Sequence, residues 1–290
     1  MSLHLLVSED GLEVHISPLI SGPQRTVLHL RTRCPILSRN TTWTGLASSE
    51  HLPLSESEPA DLIHNSWEYP GVQGSGQNVV SPTDTSNFLA FIQEFRKTPV
   101  GKKLILAASV PILPFRDAQG NPSKNVSGFA KVLDYITIMN YDIFGSWSSA
   151  VGPNAPLADS CAPAQYQQGS ATSAVNAWMS AGFPANQIVL GVASYGHSYR
   201  VKPSDAFANN PTSELGLSSV SQLVPYPPFD RGDQPEGDAW GGSTGVFEFW
   251  GLIKGGFLNE QGTPAQGIYS RFDSCSQTVR ISFVILGKAW

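Results

Sequence analysis

The pattern of apolar and polar positions changes character near residue 61. Upstream, TVLHLRT (26–32) predicts a strand, and SSEHLPLSESEPAD (48–61), rich in Ser, Glu and Pro, predicts a loop or linker. Downstream the pattern becomes regular. TSNFLAFIQEFRK (85–97) places Phe88, Leu89, Ile92 and Phe95 at helical spacing, with Asp84 or Thr85 as N-cap. KKLILAASVP (102–111) is a short apolar run ended by proline, the mark of a buried strand. SGFAKVLD (127–134) predicts a short helix and YITIMNYD (135–142) a second, β-branched strand. SATSAVNAWMSAG (170–182) predicts a helix closed by Gly182, followed by NQIVLGVASYG (186–196) as a third buried strand.

Apolar strands that alternate with helices imply a parallel sheet covered on both faces. The strands end in polar or aromatic residues: Trp67-Glu68-Tyr69, Asn140-Tyr141-Asp142 and Ser194-Tyr195-Gly196-His197. Functional side chains at successive strand C-termini are the habit of an α/β TIM (β/α)8-type barrel, whereas doubly wound sheets concentrate them at one crevice. The barrel is therefore expected. The segment 198–265, rich in Pro, Gly and aromatics, breaks the βα rhythm and predicts an α+β insertion over the barrel mouth.

Composition narrows the functional classes. A chain of 290 residues with 41% hydrophobic and 14% charged residues has enough apolar surface for a substantial core. The net charge of −5 and the lack of a long basic run argue against nucleic acid. No apolar run approaches the roughly 20 residues that span a bilayer, so no membrane segment is expected. The opening MSLHLLVSEDG lacks a basic start and a long apolar run, and no export signal is expected from it. Cys34, Cys161 and Cys275 form no metal-type spacing, leaving one disulfide with a spare thiol or three unrelated thiols. Asn40-Thr-Thr and Asn125-Val-Ser are glycosylation sequons.

Three carboxylates stand out. Asp61 and Glu68 flank the first regular strand, and Asp142 ends a later one. With tyrosines beside two of them, they suit general acid/base work on a polar substrate. Trp67, Tyr69, Trp147, Trp240 and Trp250 offer flat faces of the kind sugars stack on, although aromatics mostly fill cores and Asp mostly caps helices. The six histidines show no HExxH-type pairing, GxSxG is absent, and GVQGSGQ (71–77) carries no phosphate-loop pattern. No metal, nucleotide or other cofactor is expected.

WEYPGVQGSGQNVVSPTDTSNFLAFIQEFR (67–96), LDYITIMNYDIFGSWSSAVGPNAPL (133–157), IVLGVASYGHSY (188–199) and GIYSRFDSCSQT (267–278) resemble fungal chitinases of glycoside hydrolase family 18. The resemblance runs from about residue 61 to 278, and four segments agree in order and spacing. It implies chitin or chito-oligosaccharides as ligand, an exported protein, a monomer, and a Cys161–Cys275 disulfide. It also implies substrate-assisted retaining hydrolysis, in which the substrate's own N-acetyl group replaces a protein nucleophile. Glu68 is then the general acid. Met139, Tyr141 and Asp142 line the subsite of the reacting sugar, Tyr141 supports the oxazolinium, and Tyr69, Trp147, Tyr195 and Trp240 contact substrate.

The family motif DxxDxDxE aligns with DLIHNSWE (61–68). Asp61 and Glu68 match, His64 replaces the middle aspartate, and Ser66 replaces the aspartate that orients the acetamido group. A hydroxyl cannot supply that aspartate's negative charge, and losing such a preorganised partner costs on the order of 10²–10³ in rate. The resemblance further divides the chain into an atypical 1–60, barrel strands 4–7 over 61–197, an insertion domain over 198–265, and a return to the barrel over 266–290. By this alignment strands 1–3 and 8 are not recognisable, so the barrel is expected to be incomplete.

Overall fold

The computed structural model describes residues 67–74, 79–206, 224–230, 245–266 and 268–282, with the backbone of strands at 2–8, 11–17, 46–48 and 62–65. The strand expected over 26–32 and the loop over 49–61 lie outside the described residues. Two compact units divide the chain: residues 1–139 with 174–191, and residues 140–173 with 192–290.

In the first unit, β1 (Ser2–Ser8) pairs antiparallel with β2 (Gly11–Ser17) and with β3 (Leu46–Ser48). A separate parallel sheet follows the chain. Its first strand is β4 (Leu62–Asn65), which leads to helix α1 (Asp84–Lys97) and strand β5 (Ile105–Val110). Helix α2 (Ser127–Ala130), strand β6 (Tyr135–Ile138), helix α3 (Ala171–Ser180) and strand β7 (Ile188–Leu190) complete the series. The strand order is β4-β5-β6-β7, all parallel. This is the expected succession of parallel strands joined by helical segments.

The helical spacing of α1 explains its burial. Phe88 and Ile92, one turn apart, are buried, and Leu89, Phe91 and Phe95 pack partly against the same core. Phe88 meets the rings of Trp67, Phe115 and Phe129 at centroid distances of 5.6, 5.8 and 5.6 Å. Trp178 of α3 is fully buried against Phe115 and Phe183, and its Nε1 donates to the Pro111 carbonyl at 2.9 Å. Each such side chain contributes roughly 1.5–3 kcal/mol on burial. The indole bond leaves no polar cost for placing tryptophan there.

Four expectations are corrected in detail. The N-cap of α1 is Thr83, without a side-chain cap bond. Asp84 is buried instead because its Oδ2 accepts from the backbone N–H groups of Gly71 at 3.2 Å and Ser81 at 2.9 Å. Strand β5 starts at Ile105 because the N–H groups of Lys102, Lys103 and Leu104 turn back to the carbonyls of Thr98 and Val100. Helix α2 stops at Ala130, since Asp134 joins the sheet instead. Its N–H donates to the Leu106 carbonyl, and its Oδ2 takes the Leu106 N–H at 2.7 Å and the Arg96 guanidinium at 2.5 Å. The strand expected over 186–196 divides into two. The parallel ladder closes where Gly191 N–H meets the Ile138 carbonyl, and Val192 is 87% exposed. Val189 and Leu190 are exposed rather than buried because β7 is an outer strand among the described residues.

In the second unit, the later part of that run forms β8 (Tyr195–His197). After the short helix α4 (Pro203–Ala206), β9 (Val246–Glu248) pairs antiparallel with β8 and runs directly into α5 (Phe249–Lys254). Strands β10 (Tyr269–Asp273) and β11 (Thr278–Ser282) form an antiparallel hairpin. A small core of Phe144, Ala150, Ala162 and Tyr226 is capped by Tyr166, whose ring stacks on Tyr226 at 4.4 Å. Cys161 and Cys275 are joined by a disulfide across 114 residues, the pairing implied by the family resemblance. Arg271 and Arg280 face each other across the hairpin. Burial first, and then Arg271, push the Arg280 guanidinium below its usual range, while Asp273 and Tyr226 oppose the shift.

Candidate active site

The sequence-predicted residues fall in both units, and each group is built by its own local structure. In the first unit, buried Trp67 anchors the segment that carries Glu68 and Tyr69, edge-on to Phe88. Glu68 and Tyr69 are half-buried, and the peptide bond between them is cis. The chain then turns sharply, with Val72 N–H donating to the Tyr69 carbonyl at 3.1 Å. Gly74 adopts φ 61°, and a Cβ there would lie 1.9 Å from the Glu68 carbonyl oxygen. Only glycine permits that approach. Asp84 secures the same turn through Gly71, so the Glu68 segment is fixed by an aromatic anchor on one side and a buried carboxylate on the other. Met139 extends the sheet beyond β6, donating its N–H to the Val110 carbonyl at 2.9 Å. Asp61, Ser66 and Trp240 lie outside the described residues.

In the second unit a polar cluster forms around Asp142. Its Oδ1 accepts the Tyr195 hydroxyl at 2.6 Å and lies 2.8 Å from His197 Nε2. Tyr141 meets the Tyr195 ring edge-on at 6.1 Å, and Trp147 meets the His197 ring at 5.4 Å. The Asp142 carboxylate is 48% exposed while His197 is only 11% exposed, so the imidazole supports the acid from within. Trp147 is 60% exposed. Its ring lies over Gly145, where a Cβ would come within 2.3 Å of the indole. A carboxylate with fixed orientation beside an exposed indole offers a hydrogen-bond acceptor next to a flat apolar surface. That pairing suits a ligand with hydroxyls along one edge and C–H groups on its face.

Of the predicted residues, Tyr141, Asp142, Trp147 and Tyr195 are brought together in the second unit, and Trp67, Glu68 and Tyr69 are neighbours in the first. Two members of the cluster were not predicted as site residues. His197 shares a face of β8 with Tyr195 because side chains two apart on a strand point the same way, a signal legible in YGH. Asn154 sits in a loop with no periodicity to announce it, yet its side chain binds both Asp142 and Tyr195 through their backbones.

Residues 55–277 match the family described as Glycosyl hydrolases family 18, well over half of the chain. A chitinase-like effector of Moniliophthora roreri is 48% identical over 231 residues, covering 76% of this chain and 54% of that protein. A chitinase-like effector of Moniliophthora perniciosa is 46% identical over 230 residues, covering 75% and 50%. The chain thus spans about half the length of these curated relatives. Among solved structures, a chitinase from Rhizomucor miehei superposes with a TM-score of 0.62 at 27% identity, covering 76% of this chain and 58% of that one. The parallel strands β4–β7 are accordingly part of a TIM-barrel fold. The chain belongs to glycosyl hydrolase family 18.

Proposed function

We propose that this protein is a chitinase-like carbohydrate-binding member of the family, taking chito-oligosaccharides without measurable hydrolysis. The observation that carries this reading is the Asp142 cluster: an exposed carboxylate steered by Tyr195 and His197, with the exposed Trp147 ring beside it. Binding requires those groups. Rapid turnover requires more. In the substrate-assisted mechanism Glu68 protonates the leaving oxygen while the acetamido carbonyl attacks the anomeric carbon, and a neighbouring aspartate stabilises the positive oxazolinium. Ser66 occupies that aspartate's place in the motif and carries no charge. The names of the two effector relatives support a chitinase-like protein.

The finer assignments belong to the same proposal. Glu68 is the acid, with Asp61 and Ser66 as its motif neighbours. Met139, Tyr141 and Asp142 border the reacting sugar, and Tyr69, Trp147, Tyr195 and Trp240 extend the contact surface. No cofactor takes part. Residues 61–197 form barrel strands 4–7, 198–265 the insertion domain and 266–290 the return to an incomplete barrel, with 1–60 atypical. The protein acts extracellularly as a monomer; the Cys161–Cys275 disulfide suits an oxidising compartment.

A second reading, slow but genuine hydrolysis, is favoured by the retention of Glu68 at the acid position. Chitotetraose separates the two. Binding detected by calorimetry, with no shorter oligomer seen by mass spectrometry, is the expected result. Shorter oligomers that disappear in Glu68→Gln would establish the hydrolase instead. Neither binding nor products would eliminate both.

A further inference from the structure

The backbone at Asp142 lies in the left-handed region, with φ 57°, a conformation that is strained for a non-glycine residue and persists only where the surroundings impose it. Asn154 meets the backbone at this position. Asn154 Oδ1 accepts the Asp142 N–H at 2.9 Å, and Asn154 Nδ2 donates to the Tyr195 carbonyl at 2.9 Å. The Asn154 carbonyl also accepts the Ile143 N–H at 3.1 Å. Tyr195 in turn donates its hydroxyl to the Asp142 carboxylate. The contacts form a closed ring running from Asp142 N–H through the Asn154 amide to the Tyr195 backbone, and back through the phenol to Asp142 Oδ1.

We propose that Asn154 is the positioning residue of this cluster, holding the chain at Asp142 and strand β8 at the separation that lets Tyr195 and His197 converge on one carboxylate oxygen. The inference rests on the carbohydrate-binding reading for its functional meaning, though not for its geometry. No other side-chain type of this size performs the task. An amide presents one acceptor and one donor group on a planar unit, matching an N–H on one segment and a C=O on the other. A carboxylate lacks the donor, and alanine lacks both. Asn154 has no role in proton transfer here; it acts through Asp142 and Tyr195.

The test uses the full chain with Asn154→Ala and the near-isosteric Asn154→Asp, which keeps the acceptor for Asp142 but loses the donor to Tyr195. Without ligand, NMR follows the imidazole N–H resonance expected for His197 Nε2 beside the Asp142 carboxylate. Both variants are expected to lose that resonance; Asn154→Asp alone is expected to keep the Asp142 amide slow to exchange. With chitotetraose, Asn154→Ala and Tyr195→Phe are each expected to weaken binding roughly tenfold. Their combination should also weaken it roughly tenfold rather than a hundredfold, because both break one ring. An unchanged His197 resonance in both variants, or fully additive binding losses, would overturn the assignment. If the parent protein binds no chitotetraose while the variants still lose the His197 resonance, the positioning role stands and the carbohydrate reading fails.

Discussion

The carboxylate of Asp84, at the start of helix α1, accepts the backbone N–H of Gly71 at 3.2 Å and so ties the helix to the turn that follows Glu68. Asp84 is 5% exposed and also takes the Ser81 N–H at 2.9 Å, so both donors depend on it. Asp84→Ala should lower unfolding free energy by about 1–3 kcal/mol, the cost of leaving partly buried N–H groups unpaired. Asp84→Asn, which retains an oxygen acceptor, should lose less. Urea denaturation gives both values, and equal losses in the two variants would contradict the role assigned to the oxygen.

Trp178 is fully buried and donates to the Pro111 carbonyl, joining α3 to the end of β5. Trp178→Phe keeps much of the ring contact with Phe115 and Phe183 but removes the donor, for an expected loss of about 1–3 kcal/mol. Trp178→Ala adds a cavity and should cost about 3–5 kcal/mol. Thermal melts of the two variants should fall in that order.

The Cys161–Cys275 bond closes a loop of 114 residues, so it restricts the unfolded chain strongly. Reduction, or the double replacement by serine, should destabilise the second unit by roughly 2–5 kcal/mol. Calorimetry with and without reductant measures the shift. Thiol titration should find more reactive thiols after reduction than before, and no difference would mean the bond does not form in solution.

Among the described residues, Tyr199 has a buried hydroxyl without a hydrogen-bond partner, beside the ring of Phe229. Burial pushes its phenol well above the usual tyrosine range. The folded value is raised, so the contribution to stability is complete below the unfolded value of about 10 and is lost as pH rises toward the folded one. Tyr226 is raised in the same direction, first by burial and then by Asp273. Stability should therefore decline above about pH 10, and Tyr199→Phe should flatten the decline while costing little at neutral pH. A variant as alkali-sensitive as the parent would rule out Tyr199 as a source.

On the proposed assignment, Ser66→Asp restores the charge that the motif position of the acetamido-orienting aspartate lacks in DLIHNSWE. Hydrolysis of chitotetraose should rise on the order of 10²–10³-fold, with Glu68→Gln in the same background abolishing the gain. No gain in a cooperatively folding variant would mean that the barrel, rather than the motif, limits turnover.

The existence and parallel order of the sheet were legible in the sequence because each run carries its own period. Phe88 and Ile92 mark one face of a helix, and the apolar runs read over 102–111 and 135–142 contain the strands found at 105–110 and 135–138. Candidate residues could be named because carboxylates and aromatics recur at strand ends, and the altered motif around Ser66 follows from the family resemblance. Boundaries were another matter. Whether 186–196 was one strand or two depended on a change of partner, from β6 at Leu190 to β9 at Tyr195, which no local period encodes. The same holds for Asn154 and His197, whose roles arise from contacts between residues 12 and 55 positions from Asp142. Local pattern determines which face of an element is apolar, whereas the convergence of Tyr195 and His197 on the Asp142 carboxylate is set by packing between segments distant in the chain, and only the tertiary structure decided it.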